Sequence, residues 1–160
     1  MAELTKRKPN RLNQYDYSTP GAYFITICTK NKEKILSTVG ATIGRPLIRL
    51  TEYGKMIDKA IKTIEKVYPF VTVDQYVIMP NHIHLLLQIH TDENGRPMVA
   101  PTIGRVIQQM KGYATKQIGK NIWQKLYHDH IIRNQNDYDR IWNYIELNPM
   151  YWKKDCFYIE

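Results

Sequence analysis

The sequence predicts an α+β sandwich: a four-stranded antiparallel sheet with two helices on one face, a β-hairpin inserted after the first strand, and one extra C-terminal helix. Three observations predict it. Stretches rich in β-branched and aromatic residues alternate with stretches whose apolar residues recur at helical spacing. Their order is β, hairpin, α, β, β, α, β, α, which makes two β-α-β units with an antiparallel centre, the pattern of a ferredoxin-like sandwich. The 160 residues suit a single domain with a substantial core, and no repeat, linker or low-complexity tract divides them.

Residues 1–20 are polar and basic and read as an N-terminal arm or irregular lead-in. The first strand is 22–29 (AYFITICT), bounded by Pro20-Gly21 and Lys30-Asn31-Lys32. Two short β-like pieces in 35–50, around Gly40 and Gly44-Arg45-Pro46, read as the hairpin. Thr51 can cap a helix to about Val67, along which Met56, Ile57, Ala60, Ile61, Ile64 and Val67 keep helical spacing; Tyr68-Pro69 ends it. The second strand is 71–79 and the third 82–90, with Pro80-Asn81 between them. A loop over 92–97 leads to a second helix, from Thr102 to about Ile118. Its apolar side is Ile103, Val106, Ile107, Met110 and Ala114, and Gly119 is its stop. The fourth strand is 126–132. Asn136 is then expected to cap a third helix that ends at Asn148-Pro149.

Composition narrows the class. Hydrophobic residues are 43% and charged residues 24%, an ordinary globular mix. No apolar run approaches the roughly 18 residues of a spanning helix, and the basic start has no apolar stretch behind it, so neither a membrane span nor a secretory signal is expected. Cys28 and Cys156 lie far apart without CxxC spacing, which argues against a cysteine-built zinc site and fits a reducing, cytoplasmic setting. The net charge of +8 points to a polyanionic partner.

The most informative stretch is 82–90 (HIHLLLQIH). Side chains alternate across a strand. Ile83, Leu85, Leu87 and Ile89 share one apolar face, which must pack on the helices. His82 and His84 therefore stand side by side on the other, open face, about 6–7 Å apart, where they can hold one metal ion. HxH alone is not a specific signal, and a pair of histidines without a ligand has the same spacing. His128 and His130 also alternate, on a strand expected at the far edge of the sheet; they read as structural or DNA-facing. A third ligand arriving from a helix is the better geometric solution.

Two helical tyrosines have an amide four residues on: Tyr113 with Gln117, and Tyr144 with Asn148. Each pair lies on one helix face and can offer a nucleophile and a metal ligand together. The helix of Tyr113 must cover the apolar side of the sheet, opposite the histidines. The third helix has an apolar stripe of Tyr138, Ile141, Trp142 and Ile145. Tyr144 falls roughly 110° from the centre of that stripe and Asn148 roughly 70°. This helix is free to lie on the open face and bring both side chains to His82 and His84.

Met79-Pro80-Asn81-His82-Ile83-His84-Leu85 resembles the histidine–hydrophobic–histidine (HUH) motif of single-tyrosine transposases. Asn121-Ile122-Trp123-Gln124, His130-Ile131-Ile132-Arg133-Asn134 and Tyr144-Ile145-Glu146-Leu147-Asn148-Pro149 resemble later signature blocks of the REP-associated tyrosine transposases, relatives of insertion-sequence transposases. The resemblance runs from about Tyr15 to Trp152, in order and at family-like spacing. It departs at the hairpin over 40–50, which the smallest members lack and which bears on substrate shape.

The resemblance implies a metal-dependent enzyme that nicks and rejoins single-stranded DNA near hairpins through a 5′-phosphotyrosine. It implies Tyr144 as nucleophile, His82, His84 and Asn148 as ligands of a divalent metal (Mg²⁺ or Mn²⁺), and no catalytic role for Tyr113. Single-stranded or hairpin DNA is the expected partner, with the protein a monomer or homodimer. Lys6, Arg7, Lys8 and Arg11 on the arm, Arg105, Lys111, Lys116 and Lys120 on the second helix, and Arg133 are expected to hold phosphates. The alternatives are a metal-dependent phosphohydrolase, which needs no Tyr144 and does not explain +8, and a non-catalytic hairpin DNA- or RNA-binding protein on an RRM-like sheet, which shows aromatics rather than histidines on its open face.

Overall fold

A computed structural model describes residues 12, 14–40, 44, 46–91 and 102–160. Six strands and three α-helices follow in the order β1 (Gly21–Cys28), β2 (Ser37–Gly40), β3 (Leu47–Leu50), α1 (Glu52–Val67), β4 (Val71–Ile78), β5 (His82–Ile89), α2 (Ile103–Ile118), β6 (His128–Ile132) and α3 (Gln135–Leu147). The main sheet has the order β4–β5–β1–β6, and every neighbouring pair is antiparallel. Each β-α-β unit thus spans an intervening strand, as in a ferredoxin-like sandwich. β2 and β3 pair as a separate hairpin.

The register sorts the two faces. Ile83 pairs with Ile27, Leu85 with Ile25 and Leu87 with Tyr23. This face meets Ile57, Ala60, Ile61 and Ile64 of α1 and Val106, Ile107, Met110 and Ala114 of α2, and together they form the larger core. On the other face His82 lies opposite Cys28, His84 opposite Thr26 and Leu86 opposite Phe24. A second core forms there from Val77, Met79 and Leu86 of the sheet with Ile141, Ile145 and Trp152.

Local signals set the helix ends. Thr51 and Thr102 side chains accept hydrogen bonds from Gly54 N and Arg105 N; the Thr51 cap lies where the sequence puts it, and Thr102, expected as the first residue of α2, is its cap. Gly119 closes α2 at φ 87°, a left-handed conformation that glycine adopts without steric cost. Gly54 lets the inserted segment approach α1: a Cβ there would overlap the Leu36 carbonyl oxygen, which also accepts from Thr51 N at 3.0 Å.

The structure corrects four expectations. The cap of α3 is Asn134, whose side chain accepts from Asp137 N, and Asn136 lies inside the first turn; the side chain two residues earlier is the one that reaches a free N–H. The last strand starts at His128, not 126. The lead-in joins the fold: Tyr17 is buried in the larger core and Tyr15 packs beside it, with the Tyr23 hydroxyl donating to Thr19 O. Finally, the histidine face carries more than the expected third helix: Val77 and Leu86 also point that way, and Trp152 of the C-terminal tail joins α3 in burying them.

Candidate metal and nucleophile centre

Four segments meet on the histidine face. Strand β5 supplies His82 and His84, which are 0% and 1% exposed. Strand β1 supplies Thr26 and Phe24, helix α3 supplies Tyr144 and Asn148, and the C-terminal segment supplies Trp152, Asp155 and Phe157. The Phe157 ring lies 4.6 Å from the His82 ring and the Trp152 ring 5.9 Å, centroid to centroid. Asn81 fastens this segment, its Nδ2 donating to Phe157 O at 2.8 Å.

The hydrogen bonds orient both imidazoles. Because Asn81 Nδ2 is a donor, its Oδ1 accepts from His82 Nδ1–H at 2.8 Å. That leaves the His82 Nε2 lone pair free. His84 Nδ1 is 2.8 Å from Thr26 Oγ1; a hydroxyl both donates and accepts, so Thr26 supports either tautomer of His84. The two Nε2 atoms face each other at 3.1 Å. Two lone pairs cannot share that gap without a proton or a cation between them. Outer hydrogen bonds of this kind are what fix metal-ligating imidazoles.

A carboxylate and an amide stand beside the pair. Asp155 Oδ2 is 3.7 Å from His82 Nε2, and its side chain is 1% exposed. His82, His84 and Asp155 form a cluster whose ligand atoms lie within 4.8 Å of one another. Asn148 Nδ2 donates to Asp155 Oδ2 at 2.8 Å, while Asn148 Oδ1 is buried and makes no hydrogen bond of ordinary geometry. A buried unpartnered oxygen costs free energy unless something meets it. Two neutral imidazole nitrogens, a carboxylate and an amide oxygen form a donor set that suits a divalent cation.

Electrostatics favour neutral imidazoles. Burial pushes His82 down to about 4, against the Asp155 carboxylate and the Asn148 amide, which raise it. Burial, with His82 beside it, holds His84 well below the usual histidine range. Tyr144 stays 40% exposed, with its ring 5.2 Å from His84 and 6.0 Å from Phe24. Burial and then the Asp155 carboxylate push its phenol up to about 12, while the Asn148 amide works the other way.

The structure therefore brings together all four residues expected at the centre: His82, His84, Tyr144 and Asn148. Tyr113 is on α2 and packs against the larger core, on the opposite layer. Asp155 and Phe157 are the residues that sequence reasoning missed. They lie in a short tail without periodicity, and its only signal is the cluster of aromatics Trp152, Phe157 and Tyr158, costly to leave in water. His128 and His130 share the histidine face by register, through Thr26 and Phe24; His130 Nε2 bonds Asp137 Oδ2 at 2.6 Å.

The basic residues divide. Lys6, Arg7, Lys8 and Arg11 lie outside the described residues. Arg105 and Lys116 are exposed on α2 and Lys120 just beyond its Gly119 cap, in the layer away from the histidines. Lys111 is half-buried and donates to Gln124 O at 2.9 Å, so its ammonium ties down the loop after α2. Arg133 is exposed between β6 and the α3 cap.

Fold and site define a class: a ferredoxin-like sandwich with a histidine pair on its central β5 strand, covered by a tyrosine-bearing helix. No family model matches the chain. It is 33% identical, over 99% of its own length and 97% of the relative's, to an uncharacterized protein of Haemophilus influenzae. It is 30% identical to a protein of the same organism assigned to the REP-associated tyrosine transposases, with 84% of this chain and 73% of the relative covered. The structure of a REP-associated tyrosine transposase bound to a REP hairpin superposes with a TM-score of 0.65 at 23% identity, covering 88% of this chain and 73% of the other. The chain belongs to the REP-associated tyrosine transposase family. Among the described residues no helix is long and apolar enough to cross a membrane.

Proposed function

We propose that the protein is a metal-dependent single-stranded DNA transesterase that nicks and rejoins DNA next to hairpins. The observation that carries this reading is the convergence of His82 Nε2, His84 Nε2 and Asp155 Oδ2, with the Asn148 amide bonded to Asp155 and its Oδ1 unpartnered, beside an accessible Tyr144. Those four groups would hold Mg²⁺ or Mn²⁺, which supplies charge neutralisation at a phosphodiester. Tyr144 Oη attacks the phosphorus and loses its proton. The bond to O3′ breaks, leaving a 5′-phosphotyrosine and a free 3′-OH. The covalent link retains the phosphodiester energy, so a new 3′-OH can displace the tyrosine without another energy source.

A small-molecule phosphohydrolase leaves Tyr144 without a role. A plain RRM-like binder needs an uncovered aromatic sheet face, and here α3 and the tail cover that face. The hairpin-bound relative supports hairpin DNA as the partner.

A labelled hairpin oligonucleotide with single-stranded flanks, incubated with Mn²⁺ and run on a denaturing gel, tests the proposal. Wild type and Tyr113→Phe should give a covalent protein–DNA adduct, and Tyr144→Phe should give none. Tyr144→Phe keeps the ring contacts, so its melting curve should move by no more than the loss of about one hydrogen bond, on the order of 1 kcal/mol. An adduct that persists in Tyr144→Phe overturns the assignment.

A further inference from the structure

A cleft of about 300 Å³ lies between the inserted hairpin and the turn that follows α3. Val39 and Pro46 line one side, and Pro149, Met150 and Trp152 the other. Lys153 is the one charged residue among the described residues lining it, and it is exposed. The hairpin wall is anchored, because Val39 and Ile48 pack onto the second core that contains Trp152.

Two features join this cleft to the histidine centre. Pro149 directly follows Asn148. The Trp152 ring that lines the cleft also lies 5.9 Å from the His82 ring. The cleft and the centre are therefore neighbours, with the Trp152 ring as the wall between them. The lining chemistry selects the occupant. Proline, methionine and tryptophan surfaces suit the flat face of an aromatic ring, one lysine suits a phosphate, and the described lining residues include no carboxylate to receive a cation. Met150 is 49% exposed, an apolar side chain left at the surface beside the cleft.

We propose that this cleft holds one unpaired nucleobase of the DNA strand flanking the scissile phosphate, packed against Met150, Pro149 and Trp152, with Lys153 at a neighbouring phosphate. The inference rests on the transesterase reading and adds a base-binding subsite to it. It also gives the inserted hairpin a task, as one wall of that subsite.

The test is a position-by-base cycle. Hairpin oligonucleotides carry a single abasic site at each position of the unpaired flanks in turn, and their affinities are measured for wild type, Met150→Ala and Val39→Phe. In wild type, one flank position should lose at least about fivefold in affinity when its base is removed, the scale of one stacked base. In Met150→Ala the penalty at that position should shrink to under about twofold, while penalties elsewhere stay as they were. Val39→Phe, which fills the cleft, should weaken the intact strand and abolish the same penalty. Met150 is exposed in a turn, so melting curves should show the Met150→Ala fold intact. An unchanged position profile in both variants overturns the inference while leaving hairpin binding and adduct formation standing. Failure of wild type to bind the intact hairpin overturns the underlying reading and the inference together. A change in the sedimentation mass of the free protein on Met150→Ala makes the cleft a seam between copies, and also overturns it.

Discussion

Acid should destabilise this protein through its buried histidine pair. His82 and His84 are enclosed by Trp152, Asp155 and Phe157, and His82 is held at about 4 against an ordinary 6.5. Between those two values the unfolded chain binds a proton that the folded chain does not. Stability therefore rises with pH across this window: the contribution is full above 6.5 and is lost as pH falls toward 4. At about 1.36 kcal/mol per pH unit, the gap corresponds to about 3 kcal/mol from His82 alone. His84 is displaced in the same direction and adds to the loss. A small domain has only about 5–15 kcal/mol in total, so the effect is large. Urea unfolding in EDTA at intervals from pH 7 to pH 4 measures it. His82→Gln/His84→Gln should flatten the curve in this window. The carboxyls of Asp16, whose largest influence is a Ser18 hydrogen bond, and of Asp137, where bonds from Arg140 and His130 outweigh a burial effect, are lowered from 3.8, so their loss falls below the window. Wild-type stability that stays level from pH 6.5 to 4.5, or a double variant that falls as steeply as wild type, refutes the reasoning.

Three further outcomes are expected. Asp155→Asn should weaken Mn²⁺ binding by about tenfold or more in calorimetric titration, yet melt near wild type, because an amide oxygen can still accept from Asn148 Nδ2; unchanged affinity removes Asp155 from the ligand set. Gly54→Ala should cost about 3 kcal/mol in urea unfolding, since its methyl meets the Leu36 carbonyl; a loss under about 1 kcal/mol shows that the hairpin yields instead. Affinity for hairpin DNA should fall steeply between 50 and 200 mM salt, by about tenfold or more if several Lys and Arg contact phosphates; a flat salt response undercuts the reading of the +8 charge.

Alternation and helical spacing are local properties, and they carried most of this fold. The period of two in 82–89 placed His82 and His84 on one face with Ile83 and Leu85 on the other, because a strand permits no other assignment. Thr51, Thr102 and Gly119 marked helix ends through bonds and dihedrals that each involve only a few neighbouring residues. Tyr144 and Asn148 were legible as a pair because four residues make about one helical turn. What only the tertiary structure decided concerns groups far apart in sequence. Asn134 rather than Asn136 caps α3, since both are good cap residues and only the chain's path selects one. Lys111 is tied to the Gln124 carbonyl rather than free for phosphate, because α2 and the following loop pack together. Asp155 and Phe157 reach the histidines from an aperiodic tail more than 70 residues along the chain from His82. No local pattern encodes such an approach. It follows from the apolar surface that Val77, Leu86 and Trp152 must bury on the histidine side, which draws the tail, and the carboxylate within it, over His82 and His84.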